Sequence, residues 1–322
     1  MRWRVMSDPA DRLDEFGDIA RLFRPLTRGA PGALGLLDDA ALIPEAPGFD
    51  LVITKDAIVA GVHFLADEAW DLIGARLAEV NASDLAAKGA EPFAALLAVA
   101  WPQGAGRADR EGFARGLGAA LARTGVALIG GDTVATPGPF VASLTLLGRI
   151  PTGRMVQRAG ARPGDRLMVS GVIGEAGLGL RAARGLIDDP TGALEARYRR
   201  PRARLDLCGL IRDHASAAAD VSDGLIADAG HIARASGVGL RLDLAAAPLS
   251  PAARRWLAAQ PDRAAALLDL ASAGDDYEIV ATAASALPGF TVIGEVVTGE
   301  GLHVTCDGRE VEAGPGGWRH GG

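Results

Sequence analysis

The residues best suited to chemistry in this chain are carboxylates that recur beside Gly and Ser in both halves. Asp38-Asp39 follows Gly35, and Asp56 follows Thr54-Lys55. Asn81, Asp84 and Lys88 are spaced i, i+3, i+7 and share one helix face. Asp132 stands behind Gly130-Gly131, two residues that tolerate a close backbone approach. Asp220, Ser222 and Asp223 fall at a strand-to-helix turn, where Ser222 or Asp223 suits a helix cap. Gly274-Asp275-Asp276-Tyr277-Glu278 precedes an apolar run. Singly, aspartates at turns are explained by Asx turns and caps, and Asp18, Asp71 and Asp228 are read as surface or cap residues of that kind. As a set they carry more. Two carboxylates at ~4 Å repel by about 4 kcal/mol at an effective dielectric of about 20. Divalent cations remove that penalty. An acidic cluster without His or Cys favours magnesium, which takes carboxylates together with phosphate oxygens.

Other machinery is missing. A P-loop needs a Lys followed by Ser or Thr, but Lys55 precedes Asp56 and Lys88 precedes Gly89. These are the only two lysines. The protein-kinase motifs H-R-D and D-F-G do not occur, nor does the hydrolase elbow G-x-S-x-G. Gly177-x-Gly179-x-x-Ala182 fits the looser dinucleotide fingerprint, a weak signal among 43 glycines that leaves a dehydrogenase as a distant alternative. The five histidines show no H-x-H or H-E-x-x-H spacing, so a zinc site is not expected.

Composition agrees. A net charge of −7 argues against nucleic acid, whose phosphates need a basic stripe. Cys208 and Cys306 are far apart and imply no disulfide framework. The first dozen residues lack a signal peptide's apolar stretch, and the longest apolar run, 93–101, is too short for a bilayer. A cytoplasmic protein without membrane contact is expected.

The elements that must position these carboxylates alternate. Helices are expected over 8–23, 70–88 and 107–123, and strands over 51–55, 93–100, 126–129 and 141–150. Asp56 would then close one strand and Asp132 end another. Pro151-Thr152-Gly153 breaks both periods and marks a boundary between 1–150 and 151–322. Alternation resumes with strands over 166–170, 217–221, 278–282, 291–297 and 302–305, and helices over 178–184, 202–213, 224–235, 252–259 and 264–270. This is an α/β pattern of mixed sheets.

In this order, the motifs resemble the bacterial thiamine-monophosphate kinase family, within the superfamily of aminoimidazole ribonucleotide synthetase and selenophosphate synthetase. The likeness covers nearly the whole chain: Asp38-Asp39-Ala40-Ala41, Gly61-Val62-His63-Phe64, Asn81-Ala82-Ser83-Asp84-Leu85, Gly130-Gly131-Asp132-Thr133, Asp220-Val221-Ser222-Asp223-Gly224-Leu225 and Gly274-Asp275-Asp276-Tyr277-Glu278. It implies the synthetase-like two-domain architecture. An N-terminal α/β domain (1–150) would bind ATP and magnesium and dimerise through its sheet; a C-terminal α/β domain (151–322) would cover the site. It implies ATP-dependent phosphorylation of thiamine monophosphate to thiamine diphosphate by a homodimer holding several magnesium ions. Asp39, Thr54, Asp56, Asp84, Asp132 and Asp220 resemble the family's metal ligands, with Asp223 on an outer ion. Gly131, Asp132, Arg158 and Ser222 fall where the family holds ATP. His63, Asp275 and Trp318 fall where it holds the thiamine phosphate. No general base is expected, because a phosphate monoester is mostly dianionic at pH 7; Asp84 and Asp132 are expected to be essential.

Three departures stand out. Leu37 occupies a usual glycine, Asp275 a usual glutamate, and Lys55 a usual metal-ligand position. At Lys55 either the backbone carbonyl is the ligand or the ammonium replaces part of an ion's charge. The rivals are another ATP-dependent enzyme of the superfamily and a non-catalytic sensor of thiamine phosphate or nucleotide. A selenophosphate synthetase would need an early Cys, and none precedes Cys208.

Overall fold

The computed structural model describes residues 15–38 and 40–313. The chain divides into two compact units, one of residues 1–82 and 92–149, the other of residues 83–91 and 150–322.

The first unit opens on α1 (Glu15–Asp18), continued by a wide π-type turn over Ile19–Phe23. The expected helix over 8–23 is thus short where it is described, and residues 8–14 lie outside the described part. Asp18 is no surface residue. It is buried, and its carboxylate meets Arg21 and Arg110, each at 2.7 Å. Then come β1 (Phe49–Val59), α2 (Trp70–Ala87), β2 (Glu91–Pro102), α3 (Arg107–Thr124), β3 (Ala127–Thr136) and β4 (Val141–Pro151). The strands form one sheet in the order β1-β4-β2-β3, with β2 and β3 parallel. α2 and α3 approach closely through Gly74 and Gly116, where a Cβ would stand 2.2 Å from the Phe113 carbonyl and 1.8 Å from that of Asp71. Trp70, Trp101, Phe113 and Phe140 interlock beneath them, with ring centroids 5.1–5.9 Å apart. The other sheet face is covered in part, where Ala33 packs with Ala94 and Leu147, and elsewhere presents exposed apolar side chains: Phe49, Leu51 and Ile53 on β1, Leu96 on β2 and Val134 on β3.

β1 and β3 run past their expected ends. Asp56 and Asp132 sit inside strands rather than closing them. Backbone pairing continues where the apolar pattern stops, as Ala98 opposite Asp132 and Ala100 opposite Val134 show.

The second unit holds β5 (Arg166–Ser170), α4 (Glu175–Ala183), α5 (Ala193–Arg199), α6 (Cys208–His214), β6 (Ala217–Asp220), α7 (Leu225–Ser236) and β7 (Gly239–Asp243). α8 (Pro251–Ala258), α9 (Arg263–Ser272), β8 (Ile279–Ala283), β9 (Phe290–Val297), β10 (Gly301–Cys306) and β11 (Arg309–Glu310) follow. Its sheet runs β11-β10-β7-β9-β5-β8-β6, parallel at β10–β7 and antiparallel at β5–β8, β5–β9, β6–β8 and β7–β9. Both faces are covered. Leu167 and Val169 join the core under α7 and α9, while Met168 and Ala218 join the one that includes Ile211 of α6. The expected helix over 202–213 starts late, because Arg204 takes non-helical dihedrals and reaches Glu278 and Asp206. α5 and β7 were not expected.

Candidate functional site

In the first unit, Thr54 and Asp56 share the helix-covered face of β1, and the Asn81 side-chain oxygen accepts the Asp56 amide at 3.0 Å. Lys55 points the other way and donates to Thr145 Oγ1 at 3.3 Å. Its ammonium therefore lies on the face opposite Asp56, which favours the carbonyl alternative at this position. His63 sits in the turn after β1 and accepts the Val59 amide on Nδ1 at 3.1 Å, which leaves Nε2 to carry the proton of the neutral ring. Gly131 has φ 156°, and a Cβ there would stand 2.0 Å from the Leu97 carbonyl. Only glycine fits, and this fixes the backbone that presents Asp132. Gly131, Asp132 and Asp38 line a cavity of about 640 Å³ whose walls include Phe16, Phe23 and Leu96. Within this unit Asp56 and Asp132 are not brought together. They stand on the two outer strands of the sheet, with β4 and β2 between them. Asp39 and Trp318 lie outside the described residues.

The second unit gathers more. Ser83 Oγ donates to the buried Asp220 at 2.9 Å. Lys88 Nζ donates to the Ala218 carbonyl at 2.8 Å. Burial, then the nearby Arg158 charge, push the Lys88 pKa down to about 8, while Asp220 and Asp84 pull it up. Asp84, Asp220 and Arg158 therefore all act on Lys88. Asp223 follows β6, and its amide donates to Asp228 at 3.2 Å. Asp228 is no surface residue: it is fully buried. Burial, then Asp220 and Asp223, push its pKa up to about 8.

A backbone clamp joins this cluster to the Gly274–Glu278 motif. The Asp275 amide donates to the Ser222 carbonyl at 2.8 Å, and the Tyr277 amide to that of Val221 at 2.8 Å. Gly274 allows the approach, since a Cβ there would stand 2.4 Å from the Ser222 oxygen. Asp275 and Tyr277 both adopt left-handed φ, 68° and 51°, and Tyr277 Oη donates to Asp275 Oδ1 at 2.8 Å. Strain of this kind persists only where surroundings over-determine it, and it concentrates at ligand sites.

Asp276 and Glu278 were singled out only as part of the motif, and the structure gives them work. Asp276 is fully buried and accepts the amides of Gly174 at 2.6 Å and Ala176 at 3.2 Å, capping α4. Glu278 accepts from Ser170, Arg197 and Arg204 at 2.6–2.9 Å. No local signal in the sequence marks partners about 100 residues away. The same contacts dispose of the dinucleotide reading. An internal carboxylate already occupies the α4 N-terminus, and β5 is antiparallel to both its neighbours. Gly179 is a packing glycine, where a Cβ would meet the Leu194 carbonyl at 2.1 Å.

Family models for AIR synthase related protein match both parts of the chain, the N-terminal domain over residues 37–150 and the C-terminal domain over 162–307. The thiamine-monophosphate kinase of Caulobacter vibrioides is 54% identical over 319 residues, spanning 95% of this chain and 91% of that protein. The chain belongs to the thiamine-monophosphate kinase family. Members of known structure share its fold. The thiamine-monophosphate kinase of Stenotrophomonas maltophilia K279a superposes with a TM-score of 0.78 at 35% identity, covering 90% of this chain and 98% of that one. AaThiL complexed with AMPPCP and TMP superposes with a TM-score of 0.77 at 32% identity, covering 91% and 98%. The mixed α/β, two-domain synthetase-like fold expected from the motifs is therefore the fold of this family. Among the described residues, no helix is long and apolar enough to cross a membrane.

Proposed function

We propose that this kinase transfers the γ-phosphoryl group of ATP to thiamine monophosphate by direct in-line displacement, assisted by several magnesium ions, in the cytoplasm and as a homodimer. One observation carries the reading. The Asp275–Ser222 clamp ties a residue carried over as substrate-binding to one carried over as ATP-binding, directly beside Asp223. The complex of AaThiL with AMPPCP and TMP supports the same pair of ligands.

The chemistry needs no base. A phosphate oxygen of the acceptor attacks the γ-phosphorus, the bond to the β–γ bridging oxygen breaks, and ADP leaves with that electron pair. The acceptor is largely dianionic already, so the barrier is mainly one of alignment and of anion meeting anion. The donor set fits magnesium: Asp84, Asp220 and Asp223 are hard oxygen donors, and Asp220 and Asp223 add to the burial that raises the pKa of Asp228. Magnesium, when bound, would neutralise charge on the phosphates and hold them in line. Asp84, Asp220 and Asp223 would hold ions in the second unit; Thr54, Asp56, Asp132 and Asp39, with the Lys55 carbonyl, would do so from the first. Arg158 and Ser222 would bind nucleotide phosphate, and the cavity beside Gly131 and Asp132 has room for a purine. His63, Asp275 and Trp318 would hold the thiamine phosphate, Trp318 offering an aromatic face to its cationic ring. The exposed apolar side chains on the first sheet support dimerisation through residues 1–150.

The test is direct. Purified protein with ATP, magnesium and thiamine monophosphate should yield thiamine diphosphate and ADP in equal amounts. Folded protein that binds ATP and makes no product would sink the reading. Asp84→Asn and Asp132→Asn should each abolish turnover with the fold intact, and full activity in either would remove that residue from the site.

A further inference from the structure

Asp228 and His231 have no role in the transfer described above, yet they are built like ligands. They stand i, i+3 on α7, so they share its face, and Asp223 lies just before the helix begins. One ligand atom from each of Asp223, Asp228 and His231 lies within 4.8 Å of the other two. The arrangement is more than a group of acids. Asp228 is fully buried, with Oδ2 accepting the Asp223 amide and Oδ1 meeting no hydrogen-bond partner among the described residues. A buried carboxylate oxygen left unpaired is costly, and a cation is the partner that would satisfy it. The surrounding charge agrees. Asp220, Asp223 and Asp228 crowd this end of the helix, and Arg158 is the cation that acts on both Asp228 and His231.

We propose that Asp223, Asp228 and His231 form a binding site for a first-row transition-metal dication, selected over magnesium by the imidazole. Magnesium prefers an all-oxygen shell, whereas imidazole suits zinc and its neighbours. Two carboxylates and one imidazole leave open positions for water or a phosphate oxygen. The site extends Asp223 beyond the outer magnesium ion assigned to it by family likeness, and it rests on the kinase reading only through that shared residue. Nothing in the usual zinc spacings announces it, because its one histidine is paired with carboxylates rather than with a second histidine.

The experiment is isothermal titration of the untagged, metal-stripped full chain with Zn2+ alone and with Mg2+ alone, in the absence of nucleotide and thiamine phosphate. One high-affinity Zn2+ per chain is expected, bound about 100-fold more tightly than Mg2+ and distinct from weaker binding at the other carboxylates. His231→Gln should weaken Zn2+ about tenfold or more and leave the Mg2+ isotherm unchanged. Asp228→Asn should also weaken Zn2+, with circular dichroism checking its fold; if it does not fold, the half-buried His231→Gln decides alone. No Zn2+ binding by the wild type, or equal Zn2+ affinity in His231→Gln, overturns the site. Both results are read without turnover, so failure of the kinase reading and failure of this site remain distinguishable.

Discussion

Asp276 offers the sharpest test of how the substrate motif is held. Its carboxylate is buried and caps α4 through the Gly174 and Ala176 amides. Burial is the largest influence on its pKa and raises it from 3.8 to about 7. The two amides and Arg197 pull it down, and Glu278 pushes it up. The unfolded chain loses this proton near 3.8 and the folded chain keeps it to about 7. Between those values the folded state binds more protons, so stability falls as pH rises, and the loss is complete above about 7. From about pH 5.5 to about pH 8.5 the wild type should lose about 2 kcal/mol through this one group, at ~1.4 kcal/mol per pH unit until the pKa is passed. Asp276→Asn removes the titration. It also forfeits one amide contact, because the carboxamide keeps a single acceptor oxygen; that loss offsets its curve without tilting it. The expected result is that the stability difference, Asn variant minus wild type, shifts by about 2 kcal/mol in favour of the variant across this range. Urea unfolding followed by circular dichroism reads the second unit. Hydrogen exchange at the Gly174 and Ala176 amides reads the cap itself. Parallel pH curves for the two proteins would show that Asp276 keeps its charge in the fold, and the argument from burial would fail.

Three further outcomes follow from the first unit. Ile53→Asp, among the exposed apolar side chains of the first sheet, should convert a dimer to a monomer in light scattering after size exclusion, since a buried unpaired carboxylate costs several kcal/mol; an unchanged mass would place any dimer contact elsewhere. Gly131→Ala should destabilise the unit by about 2 kcal/mol or more in thermal or urea unfolding and lower turnover by displacing Asp132, because its Cβ meets the Leu97 carbonyl. Lys55→Ala should keep the magnesium dependence of the wild type, because the ammonium faces Thr145 and the backbone carbonyl is retained; a shifted magnesium titration would return the ammonium to the metal cluster.

The alternation of strands and helices was legible because apolar periodicity reports burial, and burial built both sheets. What misled was polarity inside elements. Asp56 and Asp132 were read as strand ends because the apolar runs stop there, yet backbone pairing carries β1 to Val59 and β3 to Thr136. An acidic residue in the first turn of α7 is what a helix dipole favours, so Asp228 looked like a surface residue. Only the packing of α7 shows that it is buried. Asp276 and Glu278 were visible as letters of a motif, but their partners on α4, α5 and β5 are set by tertiary structure alone. The spacing rule that grouped Asn81, Asp84 and Lys88 on one helix face applies equally to Asp228 and His231. With Asp223 two residues before that helix, it would have placed a carboxylate pair and an imidazole at one helix end. The usual zinc spacings rest on paired histidines, whereas here a single histidine stands with two carboxylates.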